Sequence, residues 1–268
     1  MSNNNSKGNY CLLSEDYDKI FKKNIEVFKK NNEGTKEYDV FYPSFGITDK
    51  KECDFIVYGQ SIKGWTPQIT DKVDIDELTQ CAKNFSNGYF EGHTPLDWIN
   101  IYWSSSTYKT HIVTKEEKEF YPEIKYSACR SFFWNVTYKL ISKYYNYDYN
   151  SWDWSKKIVW SNLYKIAPSE RKNPDEFECK WQEKISIELV KKELDELKPR
   201  FCIVLTNDPW WEPFRNKIGT SKVSFIKDSN GIIQSIEKYK NTLIIVTSRP
   251  YSGGKSELYV EELIKLLK

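Results

Sequence analysis

Residues 54–65 read Asp54-Phe55-Ile56-Val57-Tyr58-Gly59-Gln60-Ser61-Ile62-Lys63-Gly64-Trp65, and the architecture turns on them. An apolar run, 54–58, stops at a glycine and gives way at once to an amide and a hydroxyl. The run predicts a buried strand. Its polar end is either an ordinary turn or a ligand site at the carboxyl end of a parallel strand, where open α/β sheets keep their chemistry.

Outward from this strand, helices and strands alternate. Upstream, Ser14 is an N-cap candidate for an amphipathic helix over 14–31, in which Tyr17, Phe21, Ile25 and Phe28 recur at helical spacing. Downstream come a helix over 74–85 and an irregular segment, 86–122, that reads as an insertion covering one end of the sheet. A long helix over 127–145 is expected to bury Phe132, Phe133, Val136, Leu140 and Ile141. A strand over 158–163 precedes a helix over 174–197, whose apolar positions include Phe177, Trp181, Ile185, Leu189 and Leu194, with Pro199 as its stop. Then come a strand over 201–206 and a short helix over 211–218. Short strands over 223–226 and 232–236 flank the turn Asp228-Ser229-Asn230-Gly231. A strand over 243–247 and a helix over 255–267 complete the chain. The alternation predicts an α/β domain, a three-layer α/β/α sandwich with a mostly parallel central sheet. Residues 1–268 should form a single domain, with 1–9 as a disordered tail.

The main strands all end in polar residues: Gly59-Gln60-Ser61, Ser161-Asn162, Thr206-Asn207-Asp208 and Ser248-Arg249-Pro250. In a parallel sheet these ends share one edge, so sequence-distant groups converge on one crevice. Gln60 and Asn162 are neutral amides suited to the edge of a base or a sugar. Arg249 suits a phosphate, or negative charge developing on a leaving group. Phe132, Phe133 or Trp134 offers a ring for a flat ligand, although at least two of the three should be core because they share one helix. Asp208 is the carboxylate at a strand terminus and so the default base, with turn formation before Pro209 as its competing role. Gly59 suits either a positive-φ turn or the lip of a site. Trp65 reads as packing, and Glu91 and His93 as part of a solvated loop.

A chain of 268 residues is long enough for one well-buried domain. Its 10 Trp, 19 Tyr and 14 Phe suit a core of large rings and also surfaces that stack on planar ligands. A net charge of +2 neither requires nor excludes nucleic acid. The cysteines at 11, 53, 81, 129, 179 and 202 form no CxxC pair, and the chain has only His93 and His111, which argues against zinc, iron–sulfur or histidine metal centres. No cofactor is expected. The polar start MSNNNSKGN and the absence of a long apolar run predict a cytoplasmic, monomeric protein with reduced thiols and no membrane contact.

The ordered pieces IVYGQSIKGW, SFFW, IVWSNLYKI, KPRFCIVLTNDPW and IIVTSRPYSGG resemble the uracil-DNA glycosylase superfamily, in particular divergent bacterial members whose first motif reads Gly-Gln-x-x-x-Gly-Trp. The resemblance spans roughly residues 50–265. It implies an enzyme that flips a nucleotide out of DNA and cleaves the bond between base and deoxyribose, without metal or organic cofactor. Carried over, Gly59 and Gln60 are similar to the start of the water-activating motif. An aromatic of Phe132-Phe133-Trp134 stacks on the flipped base, and Asn162 hydrogen-bonds its edge. Ser248, Arg249, Pro250 and Ser252 lie in the motif that stabilises the leaving base and enters the minor groove. Apart from the resemblance, Lys63 is a phosphate-contact candidate, with an ordinary exposed lysine as its competing reading. The chain departs from the family pattern at Ser61, where an aspartate is usual, and at Arg249, where a histidine is usual. Three functions therefore stand open: a glycosylase for uracil or another modified pyrimidine, a nucleic-acid-binding module that has lost cleavage, and an enzyme of free nucleosides or nucleotides.

Overall fold

The computed structural model describes residues 8–9, 11–32, 36–62, 68–69, 73–89, 93–101, 103, 128–148, 151–170, 172–224, 230–249 and 255–268. The elements run β1 (Gly8–Asn9), α1 (Glu15–Asn31), β2 (Tyr38–Val40), β3 (Ser44–Phe45), β4 (Phe55–Gly59), β5 (Gln68–Ile69), α2 (Ile75–Asn87), β6 (Gly88–Tyr89), α3 (Trp98–Ile101) and α4 (Phe132–Tyr145). They continue with β7 (Ile158–Asn162), β8 (Ile166–Pro168), α5 (Glu176–Leu197), β9 (Phe201–Val204), α6 (Asp208–Ile218), β10 (Ser221–Ser224), β11 (Ile233–Tyr239), β12 (Thr242–Thr247) and α7 (Ser256–Leu267).

The strand over Phe55–Gly59 is buried along its whole length because it lies near the middle of a seven-stranded sheet, ordered β10-β11-β12-β9-β4-β7-β3. The inner strands β12, β9, β4 and β7 are parallel. The pairings at the rims, β10 with β11, β11 with β12 and β3 with β7, are antiparallel, so a parallel centre carries antiparallel rims. Alternation along β4 divides the core. Ile56 and Tyr58 pack into a cluster with Tyr17, Phe21 and Ile25 of α1, Leu189 and Leu194 of α5, and Trp211 and Phe214 of α6. Phe55 and Val57 face the other way, toward Val136, Leu140 and Ile141 of α4 and Leu263 of α7. Helices therefore cover both faces of the sheet.

Several expectations need correction. The expected tail, 1–9, ends in Gly8–Asn9, which pairs antiparallel with Gly88–Tyr89. Of the expected irregular insertion, residues 90–92, 102 and 104–122 lie outside the described residues; its first two residues end α2, and its Leu96 and Ile99 are core. The long central helix starts at Phe132, not at 127, because Ser131 caps it by accepting from the Trp134 N–H at 3.4 Å. Phe132 and Phe133 are half-buried, whereas Trp134 is core. Phe177 is 68% exposed, just inside the capping box that Asp175 and Glu178 form at the start of α5. Asp208-Pro209 is the first turn of α6, where a proline lacks nothing and Asn207 supplies the cap. The strand expected over 232–236 extends to Tyr239 and returns through a tight hairpin into β12, with Lys240 at φ 52°. Of the turn expected at 228–231, residues 228 and 229 lie outside the described residues. Among the described residues, no helix is long and apolar enough to cross a membrane.

Candidate functional site

The connection from β4 leads to β7 on one side, and the connection from β7 crosses back to β9 on the other. The carboxyl end of β4 is thus flanked by strands reached by opposite crossovers, the geometry of a switch-point crevice. Registers keep the ends level: Gly59 lies beside Asn162, and Val204 beside both Tyr58 and Val246. The four polar strand ends therefore share one edge, as their order in the sequence implied.

At its centre are Gly59, Asn162 and Phe133. Gly59 is not among the residues with positive φ, so a turn conformation is not what requires glycine there. Space is. A Cβ at Gly59 would lie 2.5 Å from Asn162 Oδ1 and 3.7 Å from Phe133 Cε2. The missing methyl makes room for the Asn162 amide against the α4 ring. Asn162 is 2% exposed, and its Nδ2 has no hydrogen-bond partner among the described residues. A buried donor left unmade costs roughly 1–3 kcal/mol, so an acceptor brought to this amide would be stabilising.

Gln60 and Ser61 are differently employed. Gln60 is buried, its Nε2 donates to the Thr206 carbonyl at 3.4 Å, and its Oε1 accepts from Asn173 Nδ2 at 3.1 Å. The Ser61 hydroxyl donates to Asn173 Oδ1 at 3.1 Å. Gln60 therefore ties the end of β4 to the end of β9, with one N–H and one acceptor lone pair of its amide already engaged. Asn173, in the loop before α5, braces the whole turn. Nothing in its Asn-Pro context pointed to this contact.

Asp208 carries a bidentate ion pair: Arg215 donates to both its carboxylate oxygens, one of them at 3.2 Å. A carboxylate held this way is a poor general base, so the default assignment is not supported by its surroundings. The same Arg215 donates from Nε to Glu237 at 2.6 Å, and Glu237 also accepts from Trp211, Thr220 and Ser235. Burial pushes the Glu237 carboxyl up, but the donors Thr220, Trp211, Ser235 and Arg215 pull it further down, below its ordinary 4.5. A lowered carboxyl stabilises the fold above its unfolded-state pKa, and that contribution is lost as pH falls through the native value. The urea midpoint is therefore expected to drop as pH falls below about 4.5, and Glu237→Gln should show a shallower drop across the same range.

Ser248 sits at the same edge, its hydroxyl 2.7 Å from that of Tyr259 on α7, which also carries the Phe132 ring edge-on at 5.5 Å. Arg249 is exposed, and its guanidinium makes no hydrogen bond or ion pair with any described residue. Strand order puts β12 three neighbours from β7, or about 14 Å at ordinary strand spacing. Lys63, Trp65, Glu91, Pro250 and Ser252 lie outside the described residues. His93 is not at this edge; it pairs with Asp97 at 3.5 Å, close to Ser155, which precedes the amino end of β7.

Beneath the edge, on the α1 and α5 face, lies a group that sequence reasoning missed. The Lys165 ammonium donates to Ser161 Oγ at 2.7 Å, to the Asn162 carbonyl at 2.5 Å and to Glu193 at 2.8 Å. Glu193 also accepts from Tyr17 and Tyr58 at 2.6 and 2.7 Å. Burial, and then the Glu193 charge, hold both phenols well above their ordinary value, so they remain donors. The signal for Glu193 was present: it continues the Ile185, Leu189 spacing, an acid in an otherwise apolar stripe.

Among the described residues, no group of three His, Cys, Asp or Glu side chains is arranged to hold a metal. Compared with known proteins, the chain matches no family model and no curated protein. What the edge offers chemically is a neutral amide donor, an aromatic ring beside it, a serine hydroxyl at the adjacent turn and a fixed cation further along.

Proposed function

We propose that the chain is a DNA glycosylase that takes a flipped uracil or another modified pyrimidine into the β4–β7 crevice and hydrolyses its N-glycosidic bond. The observation that carries this reading is the unpartnered, buried Nδ2 of Asn162 beside Gly59 and Phe133. A planar base with a ring carbonyl supplies the missing acceptor and a face for the ring. A uracil-DNA glycosylase-like fold is part of the same proposal, supported by the order of the motifs along the chain and by the common edge of the strand ends.

In this reading the bond between C1′ and the base nitrogen breaks, and its electron pair leaves with the base. Arg249, charged at every cellular pH, faces the negative charge that develops there. Water adds to C1′ of an oxocarbenium-like sugar, which needs leaving-group stabilisation more than a strong base, and the proton that the water sheds balances the departing base anion. Ser61, its proton engaged by Asn173, keeps lone pairs with which to orient that water.

A second reading, recognition of a base without cleavage, is favoured by the Arg215 clamp on Asp208. One experiment separates the two. Labelled oligonucleotides carrying uracil in single strands, U·G or U·A pairs, hypoxanthine, hydroxymethyluracil or glucosylated hydroxymethylcytosine are incubated with the protein, and abasic sites are revealed with alkali. Release from one class supports the glycosylase. Salt-dependent DNA binding with no release from any substrate moves the assignment to the binding module. Neither release nor binding overturns both.

A further inference from the structure

We propose that Lys165 is a positioning residue of the base site: from the far face of the sheet its ammonium holds the Asn162 carbonyl, and with it the amide that meets the ligand. The inference rests on the base-binding reading of Asn162.

Lys165 lies three residues beyond the end of β7, and its side chain folds back beneath the strand end. An ammonium has three N–H donors, and here each has an acceptor: Ser161 Oγ, the Asn162 carbonyl and Glu193. Glu193 in turn accepts from Tyr58, the residue before Gly59. One buried carboxylate thus ties together the two strand ends that carry Gly59 and Asn162. Tyr17, Tyr58, Ser161, Lys165 and Glu193 are all 0% exposed. Burial pushes the ammonium's pKa down and Glu193 opposes this.

A buried ion pair is weak evidence for stability, since apolar residues of similar volume commonly serve as well. Its place explains it better. Tyr58 and Val204 pack on the α1 and α5 face, whereas Gly59, Asn162 and Phe133 meet on the α4 face. Lys165 is therefore screened from any ligand by the strand itself, which excludes it as a nucleophile and leaves alignment of β7 as its role.

The test is a mutant cycle of Lys165→Met and Asn162→Ala. Its readouts are single-turnover base release from the oligonucleotide panel, U·G duplex first, and affinity for the same duplex with thymine in place of uracil. Positioning predicts that Lys165→Met slows release about tenfold, in line with a lost hydrogen bond, while affinity for the thymine duplex stays unchanged. In the Asn162→Ala background the same change should cost nothing further. Lys165→Met/Glu193→Gln, which removes both buried charges, should slow release to the same degree and covers the case in which Lys165→Met alone does not fold. Release by Lys165→Met within twofold of wild type, or an equal loss in both backgrounds, overturns the assignment of Lys165 alone. No release by wild type from any substrate overturns the glycosylase reading, and this inference about the rate of release falls with it.

Discussion

Gly59→Ala is expected to weaken base recognition as much as loss of the Asn162 amide does, while leaving the protein folded. The added Cβ would stand 2.5 Å from Asn162 Oδ1, a separation that real side chains do not tolerate, whereas its next contacts lie at 3.7 Å. The displacement must therefore fall on the Asn162 amide. On the backbone side the change is mildly favourable, since a glycine inside a strand costs roughly 0.5–1 kcal/mol relative to alanine. That gain offsets part of the overpacking, which typically costs about 1–3 kcal/mol. For the ligand nothing compensates. Turning away the amide forfeits a buried hydrogen bond worth about 1–3 kcal/mol, or roughly ten- to hundredfold in rate. Single-turnover release and a thermal melt on the same preparation check this: release should fall to the level of Asn162→Ala, with the melting temperature shifted by a few degrees at most. A Gly59→Ala protein that releases base at the wild-type rate would show that the Gly59–Asn162 approach is incidental.

Lys165→Met should be among the most damaging single substitutions for stability, by about 3–5 kcal/mol, because it leaves the buried Glu193 carboxylate without its cation. The two phenol hydroxyls remain on Glu193 but bring no charge. Removing the partner as well reverses most of the loss: Lys165→Met/Glu193→Gln is expected to recover to within about 1–2 kcal/mol of wild type, since the penalty lies in the unpaired charge and not in the missing contact. Urea denaturation of the two variants beside wild type measures the difference. Equal stabilities for both variants would mean that the buried carboxylate is solvated in some other way.

The parallel centre of the sheet was legible because buried strands announce themselves. The runs around Ile56, Val159, Ile203 and Ile245 are apolar on both faces and end at polar residues, so the common edge could be read from strand–helix alternation. The shortest strands were not legible. Ser44–Phe45 at one rim of the main sheet, and Tyr38–Val40 and Ile166–Pro168 in a separate three-stranded sheet with Gln68–Ile69, are two or three residues long and pair with distant segments, so no local period marks them. The strand expected over 232–236 continues through Glu237 and Lys238 to Tyr239, and Glu237, a charged residue in the strand, reaches inward to Arg215.

At the site, Gly59, Phe133 and Asn162 were legible as strand-end and helix residues, and the structure brings them together. What each amide does was not legible. Gln60 and Asn162 are the same functional group in similar sequence positions, but Asn173 and Thr206 occupy the first and no described residue occupies the donor of the second. That distinction depends on a loop more than a hundred residues away. The pairing of Asp208 was hidden for a related reason: its partner, Arg215, lies two turns along the same helix, a contact that becomes visible only once Asp208 is known to begin that helix.

Base release under single turnover, measured for wild type and Asn162→Ala on each oligonucleotide of the panel, bears on the role of the buried amide without intermediate steps. Wild type is expected to release one class of pyrimidine, and Asn162→Ala to release it at least about tenfold more slowly, with an unchanged melting temperature. Release that survives in Asn162→Ala at the wild-type rate would contradict a base site built on Asn162, and no release by wild type from any substrate would contradict the glycosylase reading.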